Sequence, residues 1–378
     1  MAANITYFAQ IYLYWHKMTD KSLLINTLDV KQFHKIVLRW FDQHGRKALP
    51  WQQNITPYRV WISEIMLQQT QVNTVIPYYE RFMNRFPNLD ALAMANEDEI
   101  LHLWTGLGYY SRARNLLRAA QAMAARGEFP AGLNDLQNLP GVGRSTAGAI
   151  RAIGFGKKAA ILDGNVKRVL TRLHGITTWP GEKTTVDRLW QIAEAYTPAR
   201  RVADYTQAMM DLGATICVRG TPKCDACPLE NSCAARRLGL TKSIPQKKPA
   251  AKLPVRAVTM LVLKNKDRIL LVKRPAKGIW GGLWSLPELS SGTSEELIRL
   301  HCQQYFHAEA TAIELGQAFR HTFSHYHLDI TPAYISLRTA AKVMEAEQQI
   351  WYNLQQPANI GLPAPIKALL RNLTPCPA

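Results

Sequence analysis

Between Arg236 and Ala257 the chain changes texture, and this change most narrows the folds open to it. The stretch RRLGLTKSIPQKKPAAKLPVRA carries Pro and Lys with little hydrophobic periodicity and reads as a linker. Before it, from about Leu28 to Arg237, segments such as VKQFHKIVLRWFDQH and VDRLWQIAEAYT space apolar residues by three and four, with Gly and Pro in the connectors. That is the pattern of amphipathic helices. After it, AVTMLVLKN and RILLVKRP are short β-branched runs separated by the charged turn KNKD, and HYHLDITPAYISL adds another strand candidate. The expected fold is multidomain: an all-α domain, then an α+β domain. No internal repeat or low-complexity tract interrupts either part.

Charge narrows the class of partner. Forty-six Lys plus Arg against 28 Asp plus Glu leave a net charge of +18. Such a balance favours a polyanion, nucleic acid first, over a small acidic metabolite. No uninterrupted apolar run approaches the roughly 20 residues that span a bilayer, so no membrane association is expected. The N-terminal ITYFAQIYLYW is short and has no Lys or Arg before it, which makes a poor signal peptide. Residues 1–27 read as an extension, with Met18 an alternative start, and the expected location is the cytoplasm, at the bacterial nucleoid.

NLPGVGRSTAGAI (Asn138 to Ile150) looks like a loop for phosphate. Its glycines are one residue apart and lead to Arg144, which does not fit a Walker loop, and Gly148 comes too late for a dinucleotide fingerprint. Two short helices joined by a glycine hairpin fit better: Leu136 and Leu139 on one helical face, Pro140 as the stop, Ala147 and Ile150 resuming the pattern. Gly141 and Gly143 would take positive φ and present N–H groups to a backbone phosphate at the start of the second helix.

Cys217, Cys224, Cys227 and Cys233 fall within CVRGTPKCDACPLENSC, spaced by six, two and five residues. Without a secretory signal a disulfide framework is disfavoured. One CxxC flanked by single cysteines in a compact loop suits a four-iron cluster better than a zinc ribbon. Arg219 and Lys223, inside the first gap, are expected to face phosphates, while Cys302 and Cys376 read as inert thiols.

Two acids stand out. Cleaving an N-glycosidic bond calls for a general acid on the base and a carboxylate beside the developing positive charge on the sugar. Glu64, in VWISEIMLQQTQ, sits among apolar residues that would raise its pKa. Asp163, in AAILDGNVKRVL, follows an apolar run about twenty residues after the hairpin. An exposed helix face for Glu64 and a helix N-cap for Asp163 are the structural alternatives.

Taken in order, LPW (Leu49 to Trp51), SEIMLQQTQV (Ser63 to Val72), WTGLGYYSRARNL (Trp104 to Leu116), LPGVGRSTAGAI, ILDGNVKRV, QAMMDLGA (Gln207 to Ala214), the cysteine loop and FRHTFSHYHLDI (Phe319 to Ile330) resemble the MutY-type adenine DNA glycosylases. The resemblance implies a helix-hairpin-helix glycosylase domain with a [4Fe-4S] cluster loop, acting on double-stranded DNA that holds A opposite 8-oxoguanine or G. It implies that the enzyme flips the adenine out, removes it and leaves an abasic site. Glu64 matches the acid that protonates adenine N7 and then activates water, and Asp163 the carboxylate that stabilises the sugar cation, with or without a covalent intermediate. Asn165 would orient this pair. Trp51, Leu67, Ser145 and Gln207 match the adenine pocket, and Gln69, Thr70, Leu107 and Tyr109 the wedge and lesion strand. The phosphate contacts would be Gly141, Gly143, Lys167, Arg219 and Lys223. Endonuclease III-like relatives carry a Schiff-base lysine where Ser145 stands, so a monofunctional enzyme is expected, with at most weak trapping through Lys167.

GLWSLPEL (Gly282 to Leu289) and the strands before it resemble a Nudix fold, yet the next segment offers Glu295 and Glu296 in place of that family's longer carboxylate run. The resemblance implies a domain that recognises 8-oxoguanine through Phe323, Ser324 and His325 and hydrolyses nothing. The expected division is 1–27 extension, 28–216 glycosylase, 217–237 cluster loop, 238–256 linker and 257–375 Nudix-like. The chain is expected to be a monomer whose linker reaches repair or replication partners. Two rivals remain: a magnesium-dependent nucleotide hydrolase, and a non-catalytic DNA-binding or redox-sensing iron–sulfur protein that needs neither acid.

Overall fold

The computed structural model describes residues 28–248, 252–338 and 348–373; residues 1–27, the middle of the linker and Cys376 lie outside the described residues. In chain order, ahead of the linker, come α1 (Val30–His44), α2 (Pro57–Leu67), α3 (Val72–Arg85), α4 (Leu89–Ala93), α5 (Glu97–Trp104) and α6 (Ser111–Arg126). α7 (Leu133–Gln137), α8 (Arg144–Ala149), α9 (Gly164–Leu173), α10 (Lys183–Tyr196), α11 (Val202–Asp211) and α12 (Ala234–Arg237) follow. Packing gathers the described chain into two units. One holds the residues up to Glu64, Pro130–Asn138 and those from 142 to 248; the other holds Ile65–Phe129, Leu139–Gly141 and those from 252 onward.

The first unit is all helix and loop. Asp29 starts α1 by accepting the N–H groups of Lys31 and Gln32 at 2.9 and 3.2 Å. Phe33, Val37, Trp40 and Phe41 recur at helical spacing and bury the inner face of α1. They join one core with Val166, Val169 and Leu170 of α9, Leu189 and Ile192 of α10 and Met209 of α11. Phe33 stacks on Tyr196, with ring centroids 4.4 Å apart.

The second unit combines α3 to α6 with the β domain. Phe82, Phe86 and Trp104 form an aromatic group, 5.0 and 6.2 Å from the Phe82 ring. After the linker run β1 (Val255–Asn265), β2 (Arg268–Lys273), β3 (Trp284–Ser285), β4 (Glu288–Ser290), α13 (Glu295–Phe306), β5 (Ala310–Leu315), β6 (Phe319–Thr322), β7 (His327–Leu337), β8 (Gln349–Asn353) and α14 (Ala364–Leu373). The sheet runs β3-β2-β1-β7-β5, with β1 and β7 parallel from Val255↔His327 to Lys264↔Ser336. β8 pairs with β2, β4 with β1 and β6 with β7. β1 and β2 turn back through Lys266, whose φ of 52° supplies the left-handed residue such a turn needs. Pro332 sits inside β7 where its partner changes from β6 to β5, so its missing N–H breaks no ladder. Ile298, Cys302 and Phe306 of α13 cover Leu261, Leu263 and Ile335. Asp98 of α5 accepts Lys273 Nζ at 3.0 Å and Trp284 Nε1 at 3.3 Å, which seats the β domain on the helices of its unit.

One buried group of the first unit is titratable and unpaired. His174, at the end of α9, is 2% exposed, and neither ring nitrogen has a hydrogen-bond partner among the described residues. Burial, aided by Arg188, pushes its pKa down to about 4. The unfolded chain takes up this proton below the ordinary value of 6.5, whereas the folded chain refuses it until about 4. Stability is therefore expected to fall as the pH drops through that window, by about 3 kcal/mol in all. His174→Phe, which keeps a ring beside Tyr196, should flatten this part of a pH series of urea melts; an unchanged slope would refute the assignment.

Candidate active site and nucleic-acid interface

The two acids singled out by context both lie in the first unit. Glu64 is on α2, between Ser63, whose hydroxyl donates to Val60 O at 2.8 Å, and the buried Ile65. The residue keeps a partly open surface, while its carboxyl group is enclosed by protein atoms. Burial first, and the nearby Asp163 second, push its pKa up to about 8. Glu64 therefore holds a proton at neutral pH and can act as a general acid.

Asp163 is the N-cap of α9, as the structural alternative has it. Its Oδ1 accepts Val166 N at 2.8 Å and its Oδ2 accepts Asn165 Nδ2 at 3.0 Å. Burial raises its pKa, and these donors together with Arg168 oppose the rise. Burial raises both acids, and they differ in their partners: Glu64 finds no donor among the described residues, whereas Asp163 has donors that oppose the rise. Asn165 also accepts Arg168 Nη2 at 2.9 Å, and Arg168 reaches Cys217 O at 2.6 Å.

The expected adenine-pocket residues divide between the units. Trp51, buried in a tight turn, Ser145 and Gln207 share the unit of the acids, while Leu67 lies in the other. Ser145 Oγ accepts Leu162 N at 3.0 Å, which fixes the loop leading into Asp163. Gln207 donates to Asp211 at 2.9 Å, a carboxylate also bound by Arg46 at 2.6 Å. Asp211 and Arg46 were not singled out by sequence; 165 positions separate them, and no local motif joins them.

In the hairpin, α7 ends at Gln137, before Pro140, so Leu139 packs from the turn and not from a helix. Gly141 has φ +78° and would press a Cβ against Asn115 at 2.9 Å. Gly143 corrects the expectation of two left-handed glycines: its φ is −84°, and what distinguishes it is the open space where a Cβ would stand. Arg219 and Lys223 are exposed, and Lys167 is half-buried. The four loop cysteines are free and half-buried. Arg172 donates to Cys217 Sγ at 3.3 Å, and burial, with the other three thiols adding to it, pushes Cys227 up to about 12. Among the described residues no three His, Cys, Asp or Glu side chains converge on a point that would hold a single metal ion.

The second unit gathers the expected lesion-strand residues. Gln69 and Tyr109 both have left-handed backbones, φ 57° and 49°, in turns after α2 and before α6. Thr70 follows in the first turn, and Tyr109 is 46% exposed. Leu107, expected beside Tyr109, is buried, so this turn presents the tyrosine alone. Phe323, Ser324 and His325 form the β6–β7 loop, closed by Phe323 N donating to Tyr326 O at 2.9 Å. Ser324 and His325 are exposed. Tyr109 and this loop line one cavity of about 1000 Å³. Trp280, Arg256 and Arg274 complete it. Trp280, with φ 53°, lies 5.3 Å from the Phe323 ring and 5.5 Å from that of His321. Sequence reasoning missed Trp280, although the glycines around it in KGIWGG marked a turn.

A helical hairpin fold with a buried carboxylate pair, joined to a Nudix-like sheet, defines a base-excision DNA glycosylase. Residues 62–195 match the model of the HhH-GPD superfamily of base excision DNA repair proteins, and residues 258–372 match a NUDIX domain. The adenine DNA glycosylase of Buchnera aphidicola subsp. Acyrthosiphon pisum is 40% identical over 343 residues, covering 90% of this chain and 97% of that protein. The Homo sapiens adenine DNA glycosylase is 35% identical over 81% of this chain and 67% of its own. A solved thermostable thymine-DNA glycosylase superposes with a TM-score of 0.51 at 28% identity, over 55% of this chain and 97% of its own. The chain belongs to the adenine DNA glycosylase family: it is a base-excision repair enzyme that hydrolyses N-glycosidic bonds. Among the described residues no helix is long and apolar enough to cross a membrane.

Holding Glu64 protonated has a cost that can be measured. Its folded pKa of about 8 lies above the ordinary 4.5, so its contribution is intact below pH 4.5 and is lost as the pH rises through 8. Glu64→Gln should therefore become the more stable protein with rising pH, by ~5 kcal/mol at pH 9. Equal pH slopes for the two proteins in chemical denaturation would show that the acid is not held neutral.

Proposed function

We propose that the chain removes adenine paired with 8-oxoguanine or G from double-stranded DNA and leaves an abasic site. The observation that carries this reading is the Glu64–Asp163 pair, one acid kept protonated by burial and the other held in place by the Val166 N–H and the Asn165 amide. Glu64 gives its proton to adenine N7, and the glycosidic bond breaks with its electron pair moving to the base. The Asp163 carboxylate stabilises the cation at the anomeric carbon, and Asn165 holds that carboxylate in place. Water then adds to the sugar and returns a proton to Glu64. Trp51, Leu67, Ser145 and Gln207 are proposed to line the adenine pocket, and Gly141, Gly143, Lys167, Arg219 and Lys223 to meet the phosphates.

Gln69, Thr70 and Tyr109, with Leu107 behind them, are proposed to occupy the stack and lesion strand as the adenine leaves. Phe323, Ser324 and His325 are proposed to read 8-oxoguanine, Ser and His meeting its O8 acceptor and N7–H donor. The 28–216, 217–237, 238–256 and 257–375 divisions are retained on this reading, with a monomer acting on DNA in the cytoplasm and a linker open to repair or replication partners.

Cys217, Cys224, Cys227 and Cys233 are proposed to hold a [4Fe-4S] cluster. Four half-buried free thiols with Arg172 beside one sulfur suit it, since the guanidinium complements thiolate charge. The four cysteines would hold such a cluster through four separate thiolates, so they need not converge on a single ion. A cluster held there would hold the shape of the loop that carries Arg219 and Lys223, and Arg172 of α9 meets that loop at Cys217.

A single-turnover assay on duplex with one A opposite 8-oxoguanine tests the reading. Wild type should release adenine, and strand breaks should appear only after alkali. Asp163→Asn and Glu64→Gln should each lose at least about a hundredfold in rate. Release by Asp163→Asn at the wild-type rate, or rapid nicking without alkali, would overturn it. Replacing Ser324 and His325 by Ala should narrow the preference for 8-oxoguanine over G by roughly tenfold, the worth of one lost hydrogen bond of about 1.4 kcal/mol; an unchanged preference removes the reader assignment.

A further inference from the structure

Arg112, near the start of α6, is buried, with 7% of its surface exposed. Its side chain donates to six oxygens. Nη1 reaches Ile65 O at 3.0 Å, Met66 O at 2.9 Å and Gln68 O at 2.5 Å. Nη2 reaches Thr70 Oγ1 at 3.2 Å, and Leu107 O and Gly108 O at 3.1 Å. The first four acceptors belong to the end of α2 and the turn of Gln69; the last two belong to the turn of Tyr109. The guanidinium also lies 5.4 Å from the Trp104 ring and 5.6 Å from that of Tyr109. Its charge is met by carbonyl oxygens, those at the end of α2 carrying the negative end of the helix dipole.

Two left-handed non-glycine residues one on each side of a single guanidinium are unusual, because each such backbone is strained and persists only where its surroundings fix it. We infer that Arg112 is a positioning residue that locks the turns of Gln69 and Tyr109 into one rigid wedge for displacing the adenine. The inference rests on the proposed wedge role of those two residues. A planar fork is needed: lysine offers three donors from one point and cannot span two turns. A wedge that yields under load does not displace a stacked base, so the coupling of the turns matters to extrusion more than to duplex binding.

Extrusion can be followed with 2-aminopurine in place of the adenine, opposite 8-oxoguanine, in the Asp163→Asn background that keeps the base attached. Arg112→Lys is expected to slow the fluorescence rise by about tenfold or more, since misplacement by about an ångström costs up to a hundredfold. Duplex affinity should change by less than about threefold. Tyr109→Ala should slow the rise comparably, and the double variant should be no slower than the slower single one, because both act through the same wedge. An unchanged rise in Arg112→Lys, or effects that multiply in the double variant, overturn the inference. A second measurement needs no variant of Arg112: amide exchange in the intact chain should show Gln69, Thr70, Leu107 and Gly108 opening as one cooperative unit, and independent opening of the two turns overturns it as well. Gln69→Ala and Tyr109→Ala separate this inference from the reading beneath it. If both extrude at wild-type speed the wedge reading falls; if they are slow while Arg112→Lys is not, the clamp alone falls.

Discussion

The hydrogen bonds that Asp163 accepts at the start of α9 are the contact on which the rest of the site depends. A capping carboxylate is worth about 1 kcal/mol to a helix, a modest sum beside what this one arranges. By bonding Val166 N it fixes the register of α9, and that register places Asn165, Lys167, Arg168 and Arg172. Asn165 returns a hydrogen bond to the same carboxylate, while Arg168 and Arg172 carry the helix into the cysteine loop at Cys217. Burial works against the Asp163 anion, and the donors around it oppose that rise without cancelling it. Glu64 has no such donor among the described residues, and burial keeps it protonated. What separates the two acids is their hydrogen bonding.

A different economy governs the second unit, where backbone carbonyls do what side-chain acids do in the first. Arg112 gathers carbonyls from two turns, and Arg114, two residues on, donates to Ala276 O at 3.0 Å and to Gly281 O in the loop that carries Trp280. α6 is thus tied at its first turns both to the Gln69 and Tyr109 turns and to the loop whose tryptophan meets the Phe323 ring. The helix segment and the Nudix-like sheet behave as one packed body, with Asp98 and His102 of α5 adding hydrogen bonds to Trp284 and Ile360.

Much of this was legible from the sequence wherever the signal is periodic or chemical. The change of texture near Arg236 located the move from helices to sheet, and KNKD marked the β1–β2 turn. An apolar frame around Glu64 was enough to foresee a raised pKa. What escaped were contacts whose acceptors are main-chain atoms, since a carbonyl has no letter of its own: nothing in YYSRARN shows that Arg112 binds six oxygens of α2 and two turns. Long-range pairs such as Arg46 with Asp211 escaped for a related reason, because loop closure brings together residues that no local pattern links. Gly143 was misread because a glycine needed for open space and one needed for positive φ look alike in sequence.

The proposed substrate explains why such an enzyme needs two kinds of site. Adenine opposite 8-oxoguanine is chemically the same adenine as that opposite thymine, so no pKa tuning at Glu64 or Asp163 can tell them apart. Specificity is a difference of free energies between right and wrong complexes, and here that difference can come only from the opposite strand. A net charge of +18 cannot supply it either, because phosphate contacts position a duplex without reading it. The discriminating groups must touch the partner base and bear on whether the adenine leaves the stack. The exposed Ser324 and His325 and the strained Tyr109 turn border one cavity in one packed unit. That arrangement suits a step in which reading the lesion and displacing its partner are a single event.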